Sequence, residues 1–280
     1  MVPELISVLI LTRNEELHIA RCLDHAFKLS SAVYVLDSNS SDQTQQIARE
    51  KGAVVLTGNF DSFSSKLNWG LENIEFNTPW VMRLDADEVL PEKFVGKVKP
   101  FLSALDDDTV GVYVRRQLWF MGKWIKHGGM YPTYSMRLCR PSAVVCEARR
   151  LDEHMLLKRG RHTSLDADVA DIPLTGLSDW ISKHNGYSTL EAHAALEAKE
   201  GGAALIKPDL FGTLPQMVRW LKTKVFYRMP PFMRPCLYFF YRYIVRLGFL
   251  DGRAGLVFHF MHGLWYRMLV DAKIVEMTKR

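Results

Sequence analysis

The sequence lacks several features that would each have pointed to a class. It has four cysteines in 280 residues. These are Cys22, Cys139, Cys146 and Cys236, with no C-x-x-C pair among them. Neither a zinc cluster nor a disulfide framework is indicated, and a reducing compartment is the simplest reading. No G-x-G-x-x-G follows the first apolar segment, which excludes a dinucleotide-binding dehydrogenase. No uncharged apolar stretch reaches the ~18–20 residues that span a bilayer. The longest candidate, residues 254–266, is too short and contains His259 and His262. Met1-Val2-Pro3-Glu4 lacks the basic region of a signal peptide. There are no internal repeats and no low-complexity linker.

What is present is a large apolar fraction, 48% of residues, enough for a sizeable core and against disorder. The net charge of +5 is unevenly placed. Residues 215–280 hold twelve Lys/Arg against three Asp/Glu and 14 of the 32 aromatics, while the rest of the chain is slightly acidic.

Residues 5–11 (LISVLIL) form a continuous apolar run, as a buried parallel strand requires. A helical pattern follows, with Ile19, Leu23, Ala26 and Phe27 on one face. Residues 32–36 predict a second strand, ending in the polar loop Asp37-Ser38-Asn39-Ser40-Ser41-Asp42. A helix to about Lys51 stops at Gly52, residues 53–56 predict a third strand, and Leu67, Leu71 and Ile74 mark another helix. Residues 80–84 predict a fourth strand, followed at once by Asp85-Ala86-Asp87-Glu88. This β-α-β-α-β-α-β order predicts an α/β fold with a mostly parallel sheet flanked by helices. Ligands of such sheets bind beyond the carboxyl ends of strands, where all three polar clusters fall. Further strands are expected over residues 111–116 and 134–140, with a Gly- and aromatic-rich loop over 119–131. Residues 178–198 predict a helix without a strong apolar stripe.

Asp85 and Asp87, at i and i+2 after a buried strand, can converge on one divalent cation bridged by a diphosphate. The competing reading is that Asp85, Asp87 and Glu88 cap the helix opened by Pro91. Asp166-Ala167-Asp168 repeats the spacing without a preceding buried strand and is set aside. Lone basic residues, Arg83 and Lys66, could touch a phosphate-bearing ligand.

Three stretches in order, Leu9-Ile10-Leu11-Thr12-Arg13-Asn14-Glu15, Val35-Leu36-Asp37-Ser38-Asn39-Ser40-Ser41-Asp42-Gln43-Thr44 and Trp80-Val81-Met82-Arg83-Leu84-Asp85-Ala86-Asp87-Glu88, resemble the family 2 glycosyltransferases, whose fold is called GT-A. His127-Gly128-Gly129-Met130-Tyr131-Pro132 and Gly248-Phe249-Leu250-Asp251-Gly252-Arg253 are similar to one bacterial subgroup, the lipopolysaccharide-core β-1,4-glucosyltransferases and related exopolysaccharide enzymes. The resemblance implies a UDP-sugar donor, with glucose the favoured sugar, and a lipid-linked or lipopolysaccharide-core acceptor. It implies a nucleotide pocket lined by Thr12, Arg13 and Glu15, with Asp37 at the uracil or ribose and Asp85 at the ribose. Asp87 would ligate Mg2+ or Mn2+. Ser38-Asn39 departs from the common Asp-Gly of the second motif. An inverting transfer also needs a base near the acceptor hydroxyl. Leu151-Asp152-Glu153-His154 offers Glu153, by resemblance, with Asp152 second.

The expected organisation is a catalytic domain over residues 1–200 and a helical C-terminal region over 201–280. Basic residues interleaved with aromatics suit an amphipathic surface on an anionic membrane, placing the protein peripherally on the cytoplasmic side of the bacterial inner membrane. Packed core and a homo-oligomer interface are the other readings of this region. Nucleic-acid binding is disfavoured because no such motif accompanies it. A nucleotidyltransferase would carry a Gly-rich triphosphate loop after the first strand, and a non-catalytic scaffold would share the fold.

Overall fold

The computed structural model describes residues 4–148, 154–199, 209–211, 216–217 and 220–279. Strand β1 (Ile6–Thr12) is buried at all seven positions because both faces of its sheet are covered. Ile6, Val8 and Ile10 meet helix α1 (Glu16–Leu29) through Ile19, Cys22, Leu23 and Ala26. On the other face Leu9 and Leu11 meet Leu67 and Leu71 of α3 (Phe63–Asn73). A strand packed on both sides reads as a continuous apolar run rather than an alternation.

Strands β2 (Val33–Asp37), β3 (Val54–Thr57) and β4 (Trp80–Asp85) join β1 in the parallel order β3-β2-β1-β4. Helix α2 (Thr44–Glu50) connects β2 to β3. The chain moves outward from β1 to β3 and then returns to place β4 on the other side of β1. That reversal opens a crevice between the carboxyl ends of β1 and β4, where sheets of this kind bind ligands.

Beyond β4 the sheet becomes mixed. The two-residue β5 (Glu88–Val89) precedes α4 (Glu92–Ser103). Then come β6 (Thr109–Phe120), β7 (Lys123–Ile125), β8 (Thr133–Cys139), the small pair β9 (Val144–Cys146) and β10 (Met155–Leu157), and β11 (Arg161–Asp171). The order continues β4-β8-β6-β11-β5. The loop expected over residues 119–131 is corrected. Its first part is a β-hairpin, with Phe120 paired to Lys123 and Leu118 to Ile125. Met121 and Gly122 both have positive φ, 51° and 73°, as a tight two-residue hairpin turn demands. The Asp166-Ala167-Asp168 segment lies within β11, where Arg115 pairs with both aspartates.

The chain divides into two compact units. Among the described residues, one comprises 4–125, 130–148 and 154–175; the other comprises 126–129 and those from 176 onward. In the second unit, α5 (Leu177–Lys199) packs on α8 (Tyr266–Thr278) through Ala192, Ala195, Val270 and Ile274. Glu191 accepts from Tyr266 Oη at 2.6 Å and from Arg267 at 2.6 Å. Helix α6 (Met233–Phe240) continues as a π turn, Tyr241–Val245. A 3-10 turn, Gly248–Asp251, then leads into α7 (Gly252–Phe258), which runs through a second π turn, His259–Trp265, into α8. Arg234 and Asp271 form a buried ion pair.

The two subgroup motifs meet here. Buried Asp251 accepts from the backbone N–H groups of Lys126 and His127 and pairs with His127 Nδ1 at 2.7 Å. Gly128 (φ 69°) leaves room for the buried His259 ring, whose Cε1 would lie 2.0 Å from an added Cβ. Burial and nearby Arg242 push the His259 imidazole down to about 4.

Candidate active site

The sequence after β1 crosses the ends of β2 and β4 and is tied to both. Thr12 Oγ1 donates to Asp37 Oδ2 at 2.6 Å. Asp37 is fully buried and also accepts from Ser40 N (2.7 Å), Ser40 Oγ (2.6 Å) and Gln45 Nε2 (2.8 Å). Four donors on two oxygens make Asp37 the organiser of its loop. A ligand reaches this carboxylate only by displacing one of them. Asn14 and Asn39 take positive φ, 56° and 50°, which asparagine tolerates better than most residues. Asn14 N donates to Ser40 Oγ, and Asn14 Oδ1 accepts from Ser41 N. Glu15 N donates to Thr44 Oγ1 and Glu16 N to Asp42 Oδ2. The turns following β1 and β2 thus form one hydrogen-bonded rim.

Lys66 of α3 is buried and donates to the Thr12 carbonyl at 2.6 Å. Burial lowers its ammonium pKa to about 8, partly opposed by the Asp37 charge. Arg13 is exposed on the rim. Glu15 Oε2 holds His18 Nδ1 at 2.7 Å, and His18 Nε2 accepts from Leu174 N. That pair of contacts places the ring proton on Nδ1. Beside the end of β3, an open depression of about 340 Å³ is lined by Gly58, Asn59, Phe60, Asp61, Ser65 and Trp69.

At the end of β4 the three acids differ in commitment. Glu88 is buried, pairs with Arg137 and accepts from Asp85 N at 3.0 Å. Burial and the Asp85 charge push its carboxyl upward. Asp85 Oδ2 faces Arg137 at 3.0 Å and Arg83 at 3.3 Å. Asp87 is half-buried, and among the described residues its carboxylate makes no hydrogen bond or ion pair. Its backbone is nonetheless fixed. The Asp87 carbonyl accepts from Ile172 N and from Arg21, and β5 pairs with β11 directly beyond it. A rigid turn therefore presents one uncommitted carboxylate beside two neutralised ones. Helix capping does not account for this, since the Pro91 position at the start of α4 has no side-chain cap.

The structure brings Thr12, Asp37 and Lys66 into direct contact, and sets Arg83 against Asp85. Asp152 and Glu153 lie outside the described residues. Sequence reasoning missed Arg137. An arginine inside the apolar run of β8 is a usable signal, because a buried cation needs buried partners. Among the described residues its Nε and Nη1 make no hydrogen bond.

A sequence profile described as "Glycosyl transferase family 2" matches residues 7–149. Uncharacterized glycosyltransferases of Rickettsia typhi and Rickettsia conorii are 30% and 29% identical over 108 and 110 residues. Each match covers 39% of this chain and 36% or 38% of the relative. The chain thus spans little more than a third of the length of these curated relatives. Among solved structures, glucosyl-3-phosphoglycerate synthase from Mycobacterium tuberculosis, in complex with Mn2+, UDP and glucosyl-3-phosphoglycerate, is 25% identical with a TM-score of 0.34, covering 41% of this chain and 44% of that one. The same enzyme with Mg2+ and UDP gives a TM-score of 0.33. Because the profile runs from β1 past the β4 acids and takes in just over half of the 280 residues, this chain belongs to glycosyl transferase family 2.

Proposed function

We propose that the chain transfers a hexose, glucose being the favoured one, from a UDP-sugar to a hydroxyl of a lipid-linked or lipopolysaccharide-core saccharide. The observation that carries this reading is the uncommitted Asp87 carboxylate, held on a fixed turn at the crevice between β1 and β4. No group of three or more His, Cys, Asp or Glu side chains converges on a metal position among the described residues. A cation here would therefore take Asp87, with the free oxygen of Asp85, and fill its remaining positions from a diphosphate and water. That donor set suits magnesium or manganese, which are commonly held by one or two carboxylates plus substrate phosphates. When bound, such a cation neutralises charge on the departing diphosphate.

The chain's own groups would do the rest. Arg13 and Lys66 supply positive charge to the diphosphate from the β1 side. The loop after Asp37 receives the nucleoside, with Phe60 and Trp69 offering an aromatic surface beside it. The acceptor hydroxyl attacks the anomeric carbon with inversion, the bond to the diphosphate oxygen breaks, and the hydroxyl proton passes to a carboxylate. Glu153 is proposed as that base, with Asp152 second.

The test is UDP release from UDP-hexoses with saccharide-bearing acceptors, with and without manganese. The reading expects metal-dependent release that falls at least a hundredfold in D87A. Release unaffected by D87A would overturn the assignment of Asp87. A fully folded chain that releases no UDP would favour the scaffold.

A further inference from the structure

We propose that the bend between α6 and α7 is a bilayer-docking surface that inserts into the interfacial layer of a membrane rich in anionic lipid. Phe240, Ile244, Val245, Leu247, Phe249 and Leu250 lie within eleven residues and are 42–57% exposed. Large apolar side chains scattered singly over a surface need no explanation, but a cluster at one bend does. The backbone accepts strain there: Leu247 sits at φ 59°, where a bulky side chain is disfavoured. An asparagine or glycine would hold the same turn at lower cost, so the leucine is best explained by what its side chain meets.

Charge selects the occupant. Between residues 226 and 275 the chain has two carboxylates, Asp251 and Asp271. Both are buried and committed, the first to His127 and the 126–127 backbone, the second to Arg234. Arg246, inside the apolar cluster, and Arg253, just beyond it, are exposed and pair with no carboxylate among the described residues. The outward face is therefore apolar and cationic, with its acids sequestered inside. A protein partner would have to bring its own acids, whereas an anionic lipid interface supplies both phases at once. No described helix is long and apolar enough to cross a membrane, so the contact is with the interface. This inference is independent of the sugar-transfer reading.

The full chain is floated with vesicles of equal parts phosphatidylcholine and phosphatidylglycerol, and with vesicles of phosphatidylcholine alone. Binding to the mixed vesicles is expected, weakening about fivefold for each of R246Q and R253Q. V245E/L250E should lose at least tenfold while keeping wild-type helicity and melting temperature. Should that variant fold poorly, F249W gives a second readout: its added fluorescence should be quenched by acyl-chain-brominated lipid. Wild-type binding by folded V245E/L250E, or an unquenched F249W in bound protein, overturns the proposal. So does a stable dimer that V245E/L250E dissociates, which would assign the face to a second copy.

Discussion

At the residue scale, the rim stores charge under strain. Lys66 is buried with its pKa lowered from 10.5 to about 8. The folded state therefore disfavours the ammonium form. Below pH 8 both folded and unfolded chains carry the proton and the penalty is complete; it fades as pH rises from about 8 to 10.5. K66M should consequently be more stable than wild type at pH 7, by up to roughly 3 kcal/mol, with the difference shrinking towards pH 10.5. Urea unfolding at several pH values checks this, and a pH-independent difference would contradict it. Arg137 works the other way. Replacing it with Met leaves Glu88 buried without its cation, which costs roughly 3–5 kcal/mol. D87A, by contrast, removes a side chain without partners and should leave the melting temperature nearly unchanged. Thermal unfolding of the two variants side by side separates the Arg137–Glu88 ion pair that holds the turn from the acid it presents.

At the scale of elements, β1 to β4 were legible because each buried strand is a short apolar run ending in polar turn residues. Nothing distant is needed to read such a segment. The β6–β7 hairpin was not legible. Its turn is Met121-Gly122 rather than Asn-Gly, and Trp119, Phe120 and Trp124 blur the alternation that marks a strand. Strand β11 was missed for a related reason: its polar residues, such as Asp168, are satisfied by Arg115, Gln117 and Tyr131 on other segments. The pairing of Asp251 with the 126–127 backbone was equally hidden, since more than a hundred residues separate the partners. It yields a sharp prediction. An added methyl in G128A collides with the buried His259 ring and asks alanine to adopt φ 69°. The 126–129 segment should lose its seat, and its amides should exchange hydrogen much faster than in wild type. Unchanged protection would show that His259 can move aside.

At the scale of the molecule, the sequence's uneven charge has a structural counterpart. The cations of the C-terminal region divide into buried ones that hold helices together, such as Arg234 and Arg242, and exposed ones beside an apolar bend. Composition alone could not separate the two, because both use arginine among aromatics. The α/β sheet and its acidic turn were readable from three short motifs. Which acid stays free was not, since that depends on Arg137 arriving from β8. The central claim is that Asp87 is the open carboxylate of a donor site. Calorimetric titration of UDP into wild type and D87A, with and without manganese and with GDP as control, tests it most directly. Wild type is expected to bind with uridine selectivity and manganese dependence, and a D87A protein that melts normally is expected to lose that binding. Equal, metal-dependent binding by both proteins would contradict it.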